Sequence, residues 1–150
     1  MPRTPTGDFA RPGGISVLLG NGDGSFQPKQ DFEVATNRHP QSVTSAHFND
    51  GEVGKSDDDF ADLVVPNPAS DDVSVYLSNG DGTFREPKIF AAGDAPHPTT
   101  SGDFDGDGNA DLAVPNKISD DVSVLLGNAD GTFQAARNFP IAWSTSCSGA

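Results

Sequence analysis

Apolar and polar residues alternate with period two along much of the chain, between clusters of Gly, Asp, Asn and Pro, and this pattern predicts short β-strands joined by tight turns. The clearest stretch is Val122 to Leu126. Val122, Val124 and Leu126 share one face, while Leu125 is apolar on the other, as are Tyr76 and Leu18 in related segments. Both faces are therefore expected to be partly covered, as when small sheets stack face to face. The relation between segments is an internal repeat: Ile15 to Phe26 (ISVLLGNGDGSF), Val73 to Phe84 (VSVYLSNGDGTF) and Val122 to Phe133 (VSVLLGNADGTF). A second element, Ala61 to Asn67 (ADLVVPN) and Ala110 to Asn116 (ADLAVPN), precedes the last two copies. The copies are spaced by 58 and then 49 residues, and most of the difference is a longer loop after Phe48.

Each full repeat reads as four strands, which in the last copy are Thr99 to Phe104, Ala110 to Pro115, Asp121 to Leu126 and Thr132 to Phe139. Asn21 to Gly24, Asn79 to Gly82 and Asn128 to Gly131 read as hairpin turns, because Asn-Gly and Asp-Gly pairs supply positive φ. Asp23, Asp81 and Asp130 are then turn residues, not metal ligands. Phe26, Phe84 and Phe133, just after the hairpins, are expected to fill the space between sheets. Repeats of this length built from four strands predict an all-β chain, a partial β-propeller of about two and a half four-stranded blades. The expected division is an irregular segment at 1–14, a half blade at 15–40, a blade with a degenerate, inserted loop at 41–97, a blade with an acidic loop at 98–142 and a disordered tail at 143–150. A propeller ring needs about four to eight blades, so the chain reads as a piece of a larger propeller or as one that self-associates. Val17, Leu19, Val124 and Leu126 are expected to lack a neighbouring blade on one side.

Charge sharpens this picture. The chain has 22 acidic against 9 basic residues, a net charge of −13, and 19 of the acids are Asp. Aspartate favours turns and ligand loops over helices. The balance excludes nucleic acid and anionic membrane surfaces as partners, since both need a positive footprint, and points to cations. No run approaches the ~20 apolar residues of a membrane helix. The lone Cys147 cannot form an intrachain disulfide.

The acids concentrate at Asp103 to Asp111, which reads DFDGDGNAD. Asp103, Asp105, Asp107 and Asp111 stand at relative positions 1, 3, 5 and 9. Gly106 and Gly108 let the backbone curl so that these carboxylates can converge. The carbonyl of Asn109 can complete an all-oxygen shell, and hard oxygen ligands in a flexible loop suit Ca²⁺. An EF-hand is disfavoured because Val114 stands where that loop needs a bidentate Glu. The corresponding loop of the middle copy, His47 to Asp62, puts His47 and Asn49 in place of the first two Asp and carries an insertion. Asp57, Asp58, Asp59 and Asp62 could collect a second cation there, but a run of consecutive acids reads first as a solvated loop.

DFDGDGNADLAVPN followed by VSVLLGNADGTFQ resembles the FG-GAP/VCBS repeat of integrin α-subunit propellers and of many bacterial surface proteins, over Ile15 to about Phe139. The resemblance implies a β-propeller, usually seven-bladed, with Ca²⁺ held by Asp103, Asp105, Asp107, the Asn109 carbonyl and Asp111. It also implies an extracellular or cell-surface protein, acting as a non-enzymatic scaffold for protein interaction or cell adhesion, with a protein or glycan as partner. The alternative is a calcium-stabilised carbohydrate-binding propeller, in which Tyr76 or Trp143 could stack on a sugar; core packing is the competing role for Tyr76. An enzyme is the least favoured reading. There is no nucleophile elbow or HExxH, and His39, His47 and His97 lie in poorly patterned loops.

Overall fold

The computed structural model describes residues 14–33, 40–49 and 60–141. The N-terminal segment up to residue 13, His39, Asp57 to Asp59, and the tail with Trp143 and Cys147 lie outside the described residues. Among the described residues there are only strands and turns. Among them no helix is long and apolar enough to cross a membrane.

The chain forms antiparallel sheets that follow the internal repeat. Strands β1 (Gly14–Val17) and β2 (Gln30–Glu33) make a two-stranded first sheet. Strands β3 (Thr44–Ala46), β4 (Asp62–Asn67), β5 (Asp72–Tyr76) and β6 (Lys88–Ala91) make a four-stranded middle sheet in sequence order. The last sheet repeats that meander with β7 (Thr100–Gly102), β8 (Asp111–Asn116), β9 (Asp121–Leu125) and β12 (Arg137–Pro140). Between β9 and β12 lies a short ribbon of β10 (Gly127–Asn128) and β11 (Thr132–Phe133).

Three expected boundaries shift. Strand β1 begins at Gly14, at the edge of the segment expected to be irregular, and the expected strand Thr99 to Phe104 shrinks to β7 because Asp103 and Phe104 already belong to the acidic loop. The expected strand Thr132 to Phe139 is broken into β11 and β12. Val124 faces Arg137 and Gly127 faces Phe133, so the outer strand carries one extra residue, a bulge. The pairs Val75 with Lys88 and Ser78 with Phe84 repeat it in the middle sheet, and Val17 with Gln30 and Gly20 with Phe26 in the first. A period-two reading cannot register an inserted residue.

The core lies between sheets. Val64, Val73, Val75 and Leu77 of the middle sheet meet Leu112, Val114 and Leu125 of the last, all of them 2% exposed or less. The opposite face of the middle sheet puts Val65 and Tyr76 against Leu63, Phe84 and Ile15 of the first sheet's side. Each fully buried Val or Leu contributes about 1.5–3 kcal/mol of transfer free energy, which explains why both faces of β5 are apolar. The expectation for the first sheet is corrected here. Val17 and Leu19 are half-buried on the side toward the middle sheet, and Leu18 is the exposed one, at 51%. Val124 and Leu126 are only half-buried, as expected.

The hairpin phenylalanines close the gaps between sheets. Phe133 stands edge-on to Phe48 and Phe90, with ring centroids 5.3 and 5.2 Å apart, and Phe84 stands edge-on to Phe32 at 5.2 Å. Phe26, their counterpart in the first copy, is 63% exposed. Beside Phe84 a cavity of about 540 Å³, lined by Val17, Leu19, Leu63 and Phe60, opens where no counterpart of Phe48 stands among the described residues.

The connection from the middle sheet to the last is tied down by backbone bonds. Ala95, at a positive φ of 54°, accepts from the Lys117 N–H, and the His97 N–H donates to the Pro115 carbonyl. The Gly93 N–H donates to Ser123 Oγ inside the last sheet.

Candidate metal centre

The acidic loop connects β7 to β8 at one end of the last sheet. Gly106 and Gly108 hold φ values of 81° and 89°, the left-handed backbone the curl requires. Ligand atoms of Asp103, Asp105 and Asp111 all lie within 4.8 Å of one another. Asp103 and Asp105 are exposed, whereas Asp111 is fully buried at the start of β8.

Asp103 Oδ1 accepts the Gly106 N–H at 2.7 Å and its Oδ2 accepts the Gly108 N–H at 3.0 Å. Asp105 Oδ1 accepts the Asp107 N–H at 3.1 Å. Asp111 accepts the Phe104 and Gly127 N–H groups, both at 2.7 Å. These donors orient the carboxylates but do not neutralise them. Two carboxylates about 5 Å apart repel by roughly 3 kcal/mol at an effective dielectric near 20, so three pairs approach a small domain's whole margin of ~5–15 kcal/mol. A cluster of this kind fits a hard divalent cation, since each oxygen keeps a free lone pair.

Asp107 is not among the three carboxylates whose ligand atoms converge. Asp107 turns both oxygens to Asn109, accepting its backbone N–H and its side-chain amide at 2.8 Å each. Those bonds, the backbone one first, hold the Asp107 carboxyl below its ordinary pKa.

The middle loop has a different chemistry. Asn49, in the place of Asp105, is buried with neither amide atom hydrogen-bonded, and His47 is exposed. Asp62, in the place of Asp111, is fully buried and accepts the Phe48 and Ser78 N–H groups at 2.9 and 2.8 Å. In both sheets the buried Asp thus ties the start of the second strand to the segments that follow the first and third strands, whatever the loop before it contains. Sequence reasoning took Asp111 for a ligand alone; the recurrence of Asp in ADLVVPN after an altered loop was the available signal.

Two further features concern roles assigned from sequence. Asp23, Asp81 and Asp130 cap their hairpins, each accepting the N–H and the hydroxyl of the Ser or Thr two residues on. Behind the β8–β9 turn, the Asn116 amide donates to Asp121 and Ser123 at 2.6 and 2.7 Å, and Asn67 repeats this with Asp72 and Ser74 at 2.7 and 2.8 Å. This network went unread, although Pro-Asn followed by Asp-Asp-Val-Ser recurs in both copies.

Residues 56–114 match the family model of the FG-GAP-like repeat. That span is similar to the FG-GAP-like repeat. The matched span contains β4 to β6, the connection to the last sheet, β7, the acidic loop and β8 as far as Val114, so it straddles two structural repeats. Comparison with curated proteins and with solved structures gives no match.

Proposed function

We propose that this FG-GAP-like chain is a calcium-stabilised segment of a β-propeller that serves as a non-enzymatic scaffold for protein interaction or adhesion at the cell surface or outside it. The observation that carries the calcium reading is the convergence of Asp103, Asp105 and Asp111 on a loop curled at two glycines. Bound there, Ca²⁺ would neutralise the three carboxylates and fix the β7–β8 connection, with Asp107 and the Asn109 carbonyl able to join after a small turn of the loop. All-oxygen donors favour Ca²⁺ over softer ions. The propeller reading rests on the stacked four-stranded meanders and on the family match.

The scaffold reading follows from the family resemblance and from a chemistry of acids already engaged as turn caps, strand staples and loop ligands. A carbohydrate-binding role finds less support, because Tyr76 is 2% exposed and cannot offer its face to a sugar.

Isothermal calorimetry with Ca²⁺ tests the metal site. Binding heat at an affinity near the ~0.1–1 mM of extracellular modules is expected, abolished in the double variant Asp103→Ala, Asp105→Ala. Absence of heat in the unaltered chain removes the calcium reading. A glycan array and a cell-adhesion assay then separate glycan from protein partners.

A further inference from the structure

The contacts between successive sheets repeat: two devices recur at both junctions, and the second junction adds two more. Leu19 of the first sheet lies over Gly82 of the middle hairpin, and Leu77 of the middle sheet lies over Gly131 of the last hairpin. A Cβ at either glycine would come within 2.5 or 2.7 Å of the leucine. Phe84 packs on Phe32 of the preceding sheet, and Phe133 on Phe90. Phe133 also meets Phe48. Finally, Lys88 Nζ reaches the Asp130 carbonyl across the second junction at 3.3 Å and contributes to lowering the Asp130 pKa.

Every device has a further member, split between the two ends of the stack. On the last sheet stand Leu126, half-buried, Phe139, 54% exposed, Phe104, 50% exposed, and Arg137, exposed; they occupy the places of Leu77, Phe90, Phe48 and Lys88. On the first sheet stand Gly24, which has no heavy atom within 4 Å of an added Cβ, Phe26, 63% exposed, and Asp23, exposed; they occupy the places of Gly131, Phe133 and Asp130. Leu18, exposed, takes the place of the buried Tyr76 and Leu125.

We propose that a second copy of this chain docks head to tail on the last sheet, presenting Leu18, Gly24 and Phe26 of its first sheet to Leu126, Phe104 and Phe139. In that contact Phe26 enters between Phe104 and Phe139 as Phe133 enters between Phe48 and Phe90, Leu126 covers Gly24, and Arg137 faces the Asp23 turn. The charges of the last pair are opposite, within a chain whose net charge of −13 otherwise opposes self-association. The contact joins unlike surfaces, so it propagates from copy to copy or closes into a ring. It rests on the repeat geometry and stands whether or not the acidic loop takes a cation.

Sedimentation velocity on the full chain across a wide concentration range tests it. Reversible association is expected, strengthened by added salt as like-charge repulsion is screened. Phe26→Asp and Phe139→Asp, each checked for an unchanged circular dichroism spectrum, should each weaken association about tenfold or more, as expected for a central aromatic anchor. Mixed in equal amounts, the two variants retain one intact surface each and should form a dimer that grows no further. Arg137→Glu should weaken association without touching a ring. A chain that stays monomeric at every concentration, or a mixture of the two variants that forms no dimer, overturns the proposal.

Discussion

Asp62 and Asp111 occupy the same place in consecutive sheets and make the same pair of bonds, to the backbone N–H groups of Phe48 and Ser78 in one case and of Phe104 and Gly127 in the other. Replacing either by Ala removes the acceptor of both donors, at about 1–3 kcal/mol for each donor left buried and unpaired. Asp111→Ala and Asp62→Ala should therefore both lower the melting temperature in the presence of chelator. Asp105→Ala, at an exposed position where the carboxylate accepts the Asp107 N–H, should leave chelated stability within ~0.5 kcal/mol. Equal losses from Asp105→Ala and Asp111→Ala would mean that the buried Asp is no staple.

Calcium should act unevenly along the chain. A ligand that binds only the folded state adds about 2.7 kcal/mol at a hundredfold excess over its dissociation constant. The carboxylate cluster lies in the last sheet, while Asn49 in the middle loop brings no charge. Hydrogen exchange with and without Ca²⁺ should show protection rising over Phe104 to Val114 and much less over Thr44 to Asn49. Equal rises in both regions would point to a second site formed with the middle loop.

The repeat made most of this fold legible. Three aligned copies fixed the strand order within each sheet, the hairpins and the aromatic fill, because period-two burial and Asn-Gly or Asp-Gly turns are local signals. What stayed hidden depends on contacts between elements distant in sequence. The bulge before β6 and before β12 adds one residue without disturbing composition. The direction in which Leu19 and Leu18 point depends on which neighbour the first sheet has. For the acidic loop, spacing identified all the residues of the curl, but the division of labour did not follow from spacing. Asp111 is held by two strands and Asp107 by Asn109, and both choices are made by hydrogen bonds that a list of acids does not contain.

The capped hairpins should give the chain an acid-sensitive component. The hydroxyls of Thr83 and Thr132, and then their N–H groups, hold the Asp81 and Asp130 carboxyls below their ordinary value of 3.8. A carboxyl depressed on folding stabilises the fold above its unfolded pKa, and that contribution is lost as pH falls through the folded value, here below about 3.8. NMR titration of the side-chain carboxyls should find both groups depressed. Thr132→Val should raise Asp130 toward its ordinary value while leaving Asp81 in place. An Asp130 titration that ignores the loss of the hydroxyl would refute the cap.

Gly24 and Gly131 separate two reasons for glycine. Both have positive φ, 90° and 72°, so alanine at either carries the left-handed penalty of about 1–2 kcal/mol. Only Gly131 is also overlain, with Leu77 Cδ2 2.7 Å from an added Cβ, so Gly131→Ala must additionally displace a packed leucine, at about 1–3 kcal/mol more. Chemical denaturation of dilute protein should therefore rank Gly131→Ala below Gly24→Ala in stability. Leu77→Ala removes the obstructing methyls, so on that background Gly131→Ala should lose only its backbone share, a coupling that a double-mutant cycle reads directly. Strictly additive effects of Leu77→Ala and Gly131→Ala would show that the leucine yields freely and that backbone conformation alone selects glycine at this junction.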